Sequence, residues 1–347
     1  MPCEHIIFDE QVADWVTWVT PDKAMPVDSF SLDPGVEYVT RRVTGTCRDL
    51  NYAWLGQKLV TGSLEMPFWW EYMGYFLKAS GLHDIDSTQQ GATTAYQHGF
   101  VADHTTMPLG LSVQAKRDAD DADNVLGLLL NSVTISCTAG EPVVFSCEYI
   151  GYDEAPTDGT WDYDGSTAAP AVIASPTYFA STVLPFRFQH ATLNVGSTLT
   201  WVGGENVYTK VGGAAATIES IEITWSNNYD PRVFLGNRVP GNVIGQDFEV
   251  SGRFDLDQST VSETFRNYYR AGTTNAIWVE IDSGVEADTG YNYLARVVVP
   301  NVFYNAGGLP DVSGSNDRRM QSVEFTGLQD SDGNSLNVQI VDTATSY

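Results

Sequence analysis

The side chains most able to do chemistry lie in two polar segments, and neither has a recognised catalytic spacing. His98, Asp103 and His104 could supply three metal ligands from one segment, but their spacing matches no compact zinc pattern. Residues 118–124 are rich in Asp and could hold Ca²⁺ or Mg²⁺ through oxygen ligands, yet they lack the central glycine and terminal glutamate of an EF-hand loop. Polar loops are the better interpretation of both segments, so we expect no metal and no cofactor.

The sequence contains no other established catalytic motif. A Gly-x-Ser-x-Gly elbow, a phosphate-binding glycine loop and a dinucleotide fingerprint are all missing. Acidic pairs are common, but in so acidic a chain they are weak evidence for glycosidase chemistry. Exposed aromatics such as Trp161, Tyr163 and Trp201 could stack on sugars, although loop aromatics are equally typical of subunit interfaces. We therefore expect a protein that is not an enzyme.

The net charge narrows the classes of partner. The 347 residues carry 44 acidic and 18 basic side chains, a formal charge of −26. Tight binding to duplex DNA or RNA needs a basic footprint that releases counterions from phosphate, so the sequence disfavours this class. Lysine is scarce and Asp outnumbers Glu, a bias that resembles proteins from extreme halophiles, where concentrated salt screens self-repulsion. An ordinary acidic protein is the alternative.

The four cysteines indicate neither a metal site nor a disulfide framework. Cys3, Cys47, Cys137 and Cys147 show no Cys-x-x-Cys spacing, and the last two do not fall opposite each other across the hairpin turn predicted at residues 139–142. We expect buried free thiols. The N-terminus lacks the regions of a signal peptide and no apolar run approaches ~18 residues, so we expect a soluble protein made in a cytoplasm.

Composition favours a folded, mainly β chain. Hydrophobic residues make up 43% of the sequence and aromatic residues 12%, which argues against disorder. Many Thr, Val, Ile and Tyr residues, punctuated by 31 glycines and 15 prolines, predict short strands and turns. Helical spacing of apolar residues predicts two amphipathic helices, at residues 67–80 and 259–271, which end at Gly81 and Gly272.

Several landmarks recur at a nearly constant distance, which indicates that one unit occurs twice. The landmarks are a Gly-Gln pair, a glycine within a strand, and the glycine that ends a helix. They are Gly56 and Gly245, Gly62 and Gly252, and Gly81 and Gly272, which lie 189, 190 and 191 residues apart. Unrelated segments would not keep such an offset, so we predict a tandem duplication of about 115 residues per unit.

The predicted fold is two tandem antiparallel β-sandwich or barrel domains, each with one flanking α-helix. Residues 1–35 are interpreted as an N-terminal arm, which either crosses onto a neighbouring subunit or covers the protein's own first sheet. Residues 36–152 form the first domain and residues 183–347 the second. Residues 153–182, rich in Pro, Gly, small and acidic residues, are interpreted as a linker or insertion.

Three groups of segments together resemble the major tail tube proteins of long-tailed phages and related archaeal viruses. The first is residues 56–65, followed by the helix that ends at Gly81. The second is residues 184–188 leading into residues 218–228, and the third is residues 245–252. The resemblance lies in the order of strand, turn and helix signatures over most of the chain. It implies a β-sandwich with a flanking helix, in the type that carries two tube domains per chain.

The resemblance also implies a structural role in the virion tail. Rings of six tube domains would stack into a hollow conduit, through which viral DNA passes to the host without tight binding. With two domains per chain, three chains make a pseudo-hexameric ring, which we favour, and six chains are the alternative. The implied partners are tail-tip, tape-measure and tail terminator proteins. No membrane is implied, and assembly would take place in the host cytoplasm.

Two polar segments, residues 44–52 and 226–241, are the predicted contacts with an adjacent ring. The residues expected to make the contacts are Arg48, Asp49, Asn51, Tyr52, Asn227, Asn228, Tyr229 and Arg232. The strands around residues 57–65 and 246–255 are expected to line the lumen, where an excess of acid would repel phosphate.

The residues alone leave two other functions open. A carbohydrate-binding β-sandwich module on a virion or cell surface would use loop aromatics as a stacking platform, and predicts glycan affinity. A metal-dependent hydrolase centred on His98, Asp103 and His104 predicts stoichiometric metal in the purified protein.

Overall fold

The computed structural model of the chain is mainly β, which confirms the predicted fold class at that level. It describes residues 5–11, 15–41, 52–84, 87–102, 107–116, 121–163, 165–178, 184–257, 260–307 and 320–347. Within these ranges no helix is both long enough and apolar enough to cross a membrane.

Strands dominate both halves of the chain. Those before residue 180 are β1 (His5–Glu10), β2 (Lys23–Pro26), β3 (Ser29–Asp33), β4 (Val36–Arg41), β5 (Tyr52–Lys58), β6 (Val60–Pro67), β7 (Leu82–Asp84), β8 (Thr88–Gln89), β9 (Tyr96–Ala102), β10 (Leu111–Lys116), β11 (Ala122–Thr138), β12 (Val144–Gly151), β13 (Asp153–Pro156) and β14 (Thr177–Tyr178). Those after it are β15 (Ala191–Val195), β16 (Thr198–Val202), β17 (Val207–Val211), β18 (Ala214–Ala216), β19 (Ile218–Ser226), β20 (Asp230–Val233), β21 (Pro240–Ile244), β22 (Glu249–Asp257), β23 (Asn275–Asp288), β24 (Tyr291–Gly307), β25 (Met320–Leu328) and β26 (Asn337–Asp342). The helices are α1 (Met73–Ala79) and α2 (Thr260–Ala271).

Eight antiparallel strands form one sheet, which we call the central sheet. Its strand order is β3-β6-β12-β11-β19-β22-β25-β24. The first four strands come from the first half of the chain and the last four from the second half. The halves meet where residues 132–138 of β11 pair with residues 220–226 of β19.

Two smaller sheets flank the central sheet, and each shares one long strand with it. β11 and β24 are both 17 residues long, and their C-terminal parts belong to the central sheet. The N-terminal part of β11 enters a sheet of order β14-β2-β1-β10-β11-β13. The N-terminal part of β24 enters a sheet of order β18-β15-β23-β24-β26-β9, with β7 and β8 also on β9. One cluster of buried apolar side chains connects all three sheets.

The two halves repeat one order of elements. In the first half β6 precedes α1, β10, β11 and β12, with β7, β8 and β9 added between α1 and β10. In the second half β22 precedes α2, β23, β24 and β25. In each half the strand before the helix carries a glycine opposite an aromatic residue of the neighbouring strand. Gly62 faces Tyr149, and Gly252 faces Phe325. These are two of the glycines whose spacing predicted a duplication.

The second helix lies where the sequence predicts it, but the first is shorter. α1 begins at Met73 rather than at residue 67. The predicted start was wrong because Phe68 continues strand-like hydrogen bonding after β6. Its N–H donates to the carbonyl of Val143 at 2.7 Å, and its carbonyl accepts the N–H of Phe186 at 2.9 Å. These tertiary bonds outweigh the helical pattern of the following side chains.

Both helices end at the predicted glycine. Gly81 has φ of 80° and Gly272 has φ of 60°, the left-handed conformation that favours glycine after a helix. α1 buries Met73, Phe76 and Leu77, so the apolar stripe seen in the sequence faces the core.

The N-terminal residues pair within the chain. β1 lies between β2 and β10, and β3 pairs with β6. Described residues of the predicted arm therefore cover the protein's own sheets, which is the second of the two alternatives. The segment 153–182 begins with β13, which pairs with β11, and Trp161 within it is buried. Its role as a linker between two domains stays a prediction.

The hairpin and the state of two cysteines agree with the sequence analysis. β11 and β12 pair across the turn at residues 139–142. Cys137 and Cys147 are buried free thiols, whereas Cys3 and Cys47 lie outside the described residues. Burial raises the pKa of the Cys137 thiol to about 11, and burial raises the pKa of Cys147 further. Both thiols therefore stay protonated and unreactive near neutral pH.

Gly252→Ala tests the glycine–aromatic pair in the second half. A Cβ at this position would overlap the Phe325 ring and lie 2.6 Å from the Glu222 carbonyl oxygen. We expect a loss of about 1–3 kcal/mol in unfolding free energy, measured by urea titration. Gly204→Ala is the control, because its Cβ would meet nothing within 4 Å, and should change stability by less than about 1 kcal/mol. Equal effects of the two substitutions would contradict the pairing.

Candidate functional site

The central sheet has one buried face and one polar face, because side chains alternate along each strand. On β6 the side chains of Leu64 and Met66 are buried while Ser63 and Glu65 are exposed. The register continues this alternation across every neighbouring strand. Thr134 of β11, for example, faces Thr224 of β19, with the two hydroxyl oxygens 2.8 Å apart. The result is one continuous polar surface spanning both halves.

This polar face is strongly acidic. Its carboxylates are Asp33, Glu65, Glu148, Glu222, Glu249, Asp255 and Glu324. Among the described positions that point outward from this face, the one cation is Arg253. The remaining outward side chains are mostly Ser and Thr.

Arg253 is surrounded by acid rather than available to an anion. Its Nη2 lies 3.0 Å from Asp255 Oδ2, and its register partners on the two adjacent strands are Glu222 and Glu324. Burial opposes ionisation of Asp255, but hydrogen bonds from Arg253 and Ser220 outweigh it and hold the pKa of this carboxyl below its usual range. The face therefore keeps a net negative charge near neutral pH.

Besides β16–β17, two hairpins stand apart from the three sheets among the described strands, and both expose large apolar side chains. β4 pairs only with β5 and β20 only with β21 among the described strands. The first hairpin carries Tyr38, 68% exposed, and Trp54, 48% exposed. The tip of the second carries Phe234, 53% exposed, and Leu235, fully exposed. Large apolar side chains held in water in this way mark a surface that another protein covers.

An ionic cluster anchors both hairpins to the body of the protein. Lys58 at the end of β5 is 3% exposed, and its Nζ lies 3.0 Å from Asp153 Oδ1, 3.3 Å from Glu154 Oε2 and 2.9 Å from Asp162 Oδ2. Arg238 of the second hairpin reaches Asp162 Oδ1 at 2.7 Å. Its carbonyl also accepts the backbone N–H of Lys58 at 2.8 Å.

The cluster keeps Lys58 charged. Burial alone would lower the pKa of the ammonium group, but the charge of Asp153 and the hydrogen bonds that Lys58 donates to Asp162 and Asp153 raise this pKa above its usual value. Burial also raises the pKa of the Asp153 carboxyl, against the stabilising effect of Lys58. The arrangement depends on the lysine, because the carboxylates would otherwise be desolvated next to one another.

His98, a candidate metal ligand in the sequence, is held instead by two carboxylates. Its Nδ1 lies 3.1 Å from Asp84 Oδ2, and its Nε2 lies 3.4 Å from Asp342 Oδ1 and 3.0 Å from the Ala344 carbonyl oxygen. Burial lowers the pKa of the ring, but Asp342 and Asp84 outweigh it and raise the pKa to about 9. Asp103 lies outside the described residues, as does His104. Within the described ranges, no group of three or more His, Cys, Asp or Glu side chains is placed to hold a metal ion.

The first set of predicted contact residues falls mostly outside the described chain. Arg48, Asp49 and Asn51 belong to residues 42–51, which are not described. Tyr52 begins β5, but its side chain is not described. Their role as contacts stays a prediction.

The second set divides between the interior and the surface. Asn227 is buried, and its Nδ2 donates to the carbonyls of Ser80 at 2.7 Å and Leu130 at 3.0 Å. The backbone N–H of Tyr229 donates to the Asn131 side chain at 2.7 Å.

Asn228 and Arg232 contact residues in or next to the β20–β21 hairpin. Asn228 Nδ2 donates to the Asp247 carbonyl at 2.8 Å. Arg232 is exposed and lies 3.1 Å from Asp230. The predicted role in ring contacts is untested for all four residues.

Sequence reasoning missed Lys58 and His98 as organising residues, and it misplaced Trp161. Trp161 was expected to be exposed for sugar stacking, which is wrong because it is 2% exposed and packs on Leu126, Ala155 and Ala169. The scarcity of lysine was the available signal for Lys58. Its carboxylate partners are about 100 residues away, so no local pattern identifies them.

Lys58→Met tests the ionic cluster. Removing the ammonium group leaves buried carboxylates without their partner, so we expect a loss of about 3–5 kcal/mol in unfolding free energy, or failure to fold. Lys210→Met is the control, because Lys210 makes a cation–π contact 5.0 Å from the centre of the Trp278 ring and should contribute only about 1 kcal/mol. A Lys58 variant as stable as the control would show that the cluster has no structural role.

The pH dependence of stability tests the His98 assignment. The pKa of His98 is raised to about 9 in the folded protein. Its contribution to the free energy of unfolding is therefore complete below the pKa of histidine in the unfolded chain and is lost as pH rises through about 9. We expect urea titrations from pH 6 to pH 10 to show a decline of up to about 3 kcal/mol. This decline should vanish in His98→Gln. It should persist in His190→Gln, because burial, with Arg187, lowers the pKa of His190.

Comparisons with known proteins support a structural role. A family model described as "Phage tail tube protein" matches residues 10–327. No curated protein matches the chain. A chain in the structure titled "Cryo-EM structure of the anti-feeding prophage (AFP) baseplate, 6-fold symmetrised" is similar at 10% identity. The match covers 42% of this chain and 92% of that chain, with a TM-score of 0.31, which is too low to support an argument. Because the family model covers most of the sequence, this chain belongs to the phage tail tube protein family, a structural family of the virion tail.

Proposed function

We propose that this protein forms stacked rings of a viral tail tube, a conduit through which the genome reaches the host. The observation that carries the proposal is the continuous acidic face of the central sheet. A channel for nucleic acid must be bounded by protein that binds its own copies strongly and the passing phosphates hardly at all. A face with seven carboxylates around one paired arginine has this property.

The proposed lumen wall is the polar face of the central sheet. β6 and β22, which include most of the strands expected from the sequence to line the lumen, lie in this sheet. Hydroxyl side chains between the carboxylates offer no fixed positive charge to a phosphate backbone. The passing DNA would therefore retain its counterions and meet a repulsive wall.

The repeated order of elements supports two tube domains in one chain. Each half contributes four strands to the central sheet, in the corresponding order β3-β6-β12-β11 and β19-β22-β25-β24. The divide between the halves is the predicted linker, residues 153–182. The chain would then behave as a fused pair of copies.

The number of strands sets a lower limit on the size of the ring. A closed barrel of about eight strands is filled by its own side chains, and about 16–18 strands are needed to enclose a water-filled channel. One central sheet is therefore too narrow, and three copies supply a wide wall. A ring of three chains is the proposed assembly, with six chains as the alternative. Tail-tip, tape-measure and tail terminator proteins would contact the ends or interior of the stack, assembled in the host cytoplasm.

Residues 44–52 and 226–241 are the proposed contacts between successive rings. Phe234 and Leu235 at the tip of the second hairpin are exposed and need a protein partner, and the ionic cluster around Lys58 holds both hairpins to the same part of the body. Of the predicted contact residues that the structure describes, Tyr52 begins β5 and Arg232 lies in β20, with Asn227, Asn228 and Tyr229 shortly before it.

Electron microscopy of the purified protein tests this proposal. We expect wild-type protein to form hollow tubes, whereas Leu235→Asp should fold normally and give single rings or short stacks, because it places a charge in the contact between rings. Val211→Asp is the matched control, since Val211 is 71% exposed on a different hairpin, and should still give long tubes. Circular dichroism checks folding in each variant. Discrete particles without a channel in the wild type would refute the proposed function.

A further inference from the structure

The junction between the two halves of the chain is a complete interface, organised by a β-bulge at Asn131. β11 shifts register between Leu130 and Ser132, so Asn131 is left out of the pairing with β12. Its carbonyl accepts the N–H of Asn227 at 2.8 Å, and its side-chain Oδ1 accepts the N–H of Tyr229 at 2.7 Å. These bonds fix the point at which β19 leaves the central sheet.

An apolar contact completes the junction. Leu129, two residues before Asn131, is fully buried against Val243 of the β20–β21 hairpin, and Tyr229 packs on the same cluster. Tyr229 and Val243 of the second half therefore pack over Leu129 of the first half.

The second half carries the same bulge at its far edge. β24 shifts register between Tyr304 and Ala306, which leaves Asn305 out of the pairing with β25. The two bulges correspond because Leu130 pairs with Tyr149 and Tyr304 pairs with Phe325, the aromatic residues of the two glycine pairs. Asn305 is thus the counterpart of Asn131.

The partners of this second bulge are present at the opposite end of the central sheet. Leu32 of β3 pairs with Gly62 as Ile223 of β19 pairs with Gly252. Six residues after each lies a tyrosine, Tyr38 in the first half and Tyr229 in the second.

The hairpin residue has a counterpart too. Val243 pairs with Pro231 and so shares a hairpin face with Tyr229, and in the first hairpin Leu55 pairs directly with Tyr38 and so shares a face with it. Phe303, two residues before Asn305, is the counterpart of Leu129. The bulge, the tyrosine and the apolar residues on either side of the contact therefore all have counterparts.

The counterpart residues are exposed to solvent, whereas the residues of the internal junction are buried. Tyr38 is 68% exposed, Leu55 is 47% exposed and Phe303 is 40% exposed, whereas Leu129 is 0% exposed and Val243 is 3% exposed. β3 and β24 end the central sheet on opposite sides, seven strand spacings apart, so the two surfaces of one chain cannot meet each other without closing the sheet on itself.

We propose that the partner of each surface is a second copy of this chain. The Asn305 bulge and Phe303 of one copy receive Tyr38 and Leu55 of the next, reproducing the junction that Asn131 and Leu129 make within the chain. The contact is head to tail, so its repetition closes a ring or continues as a helix. This inference rests on the proposed function and names the lateral contact of the ring, which is separate from the contacts between stacked rings.

Cysteine cross-linking tests the contact in the full-length chain. Tyr38→Cys and Asn305→Cys are combined in one variant and treated with a short bismaleimide. Both positions are exposed, so folding should be preserved, and the two thiols of one chain lie too far apart to be joined. We expect a ladder of covalent multimers on a denaturing gel, at least about tenfold above each single variant, because juxtaposed thiols react at high effective concentration.

The control separates this contact from chance encounters. Val211→Cys combined with Asn305→Cys presents two equally exposed thiols that the proposed junction does not bring together. The single variants report any contribution from native cysteines. A ladder confined to the 38–305 pair supports the inference. Hollow tubes in the microscope without such a ladder would overturn the inference and leave the proposed function standing, whereas an absence of both rings and tubes would overturn both.

Discussion

The backbone pairing of β11 with β19 is the interaction on which the rest of the structure depends. It joins two four-stranded sheets into one and occupies an edge of each half that would otherwise expose unpaired donors and acceptors. Its register also decides which side chains face the core, because Val133 and Trp225 point inward while Thr134 and Thr224 point outward. A slip of one residue would reverse both faces, so the acidic surface and the core are specified together.

Carboxylates have two different roles in this protein, which depend on whether they lie on the polar face or in the interior. Carboxylates on the polar face are solvated and close to one another, so they contribute repulsion that salt can screen. The carboxylates around Lys58 and His98 are buried or, at Asp162, half-buried, and each group is matched to a cation at short distance. Acidic composition therefore does not mean a uniformly charged surface. Concentrated salt would weaken the repulsion on the polar face while affecting the buried pairs much less.

How much of the fold the sequence predicts depends on how local the determining contacts are. The hairpin of β11 and β12, the end of each helix and the recurring glycines follow from short patterns, and all were recognised. The start of α1 was not, because Phe68 bonds to residues more than 70 positions away. The two ionic clusters were missed for the same reason. Gly62 and Gly252 were noticed through their spacing, but their physical role needs the aromatic ring on the neighbouring strand, which no sequence window contains.

The buried ionic cluster at Lys58 serves to fix the position of the two hairpins rather than to stabilise the fold. Replacing such a group by well-packed apolar residues often costs nothing or stabilises a protein, because desolvating charges is expensive. Apolar contacts, however, tolerate sliding, whereas Lys58 and Arg238 must share the oxygens of Asp162 at short, directed distances. The two hairpins expose side chains that must meet a partner in one geometry. A polar anchor at their base fixes that geometry before assembly, so less ordering remains to be done when copies associate.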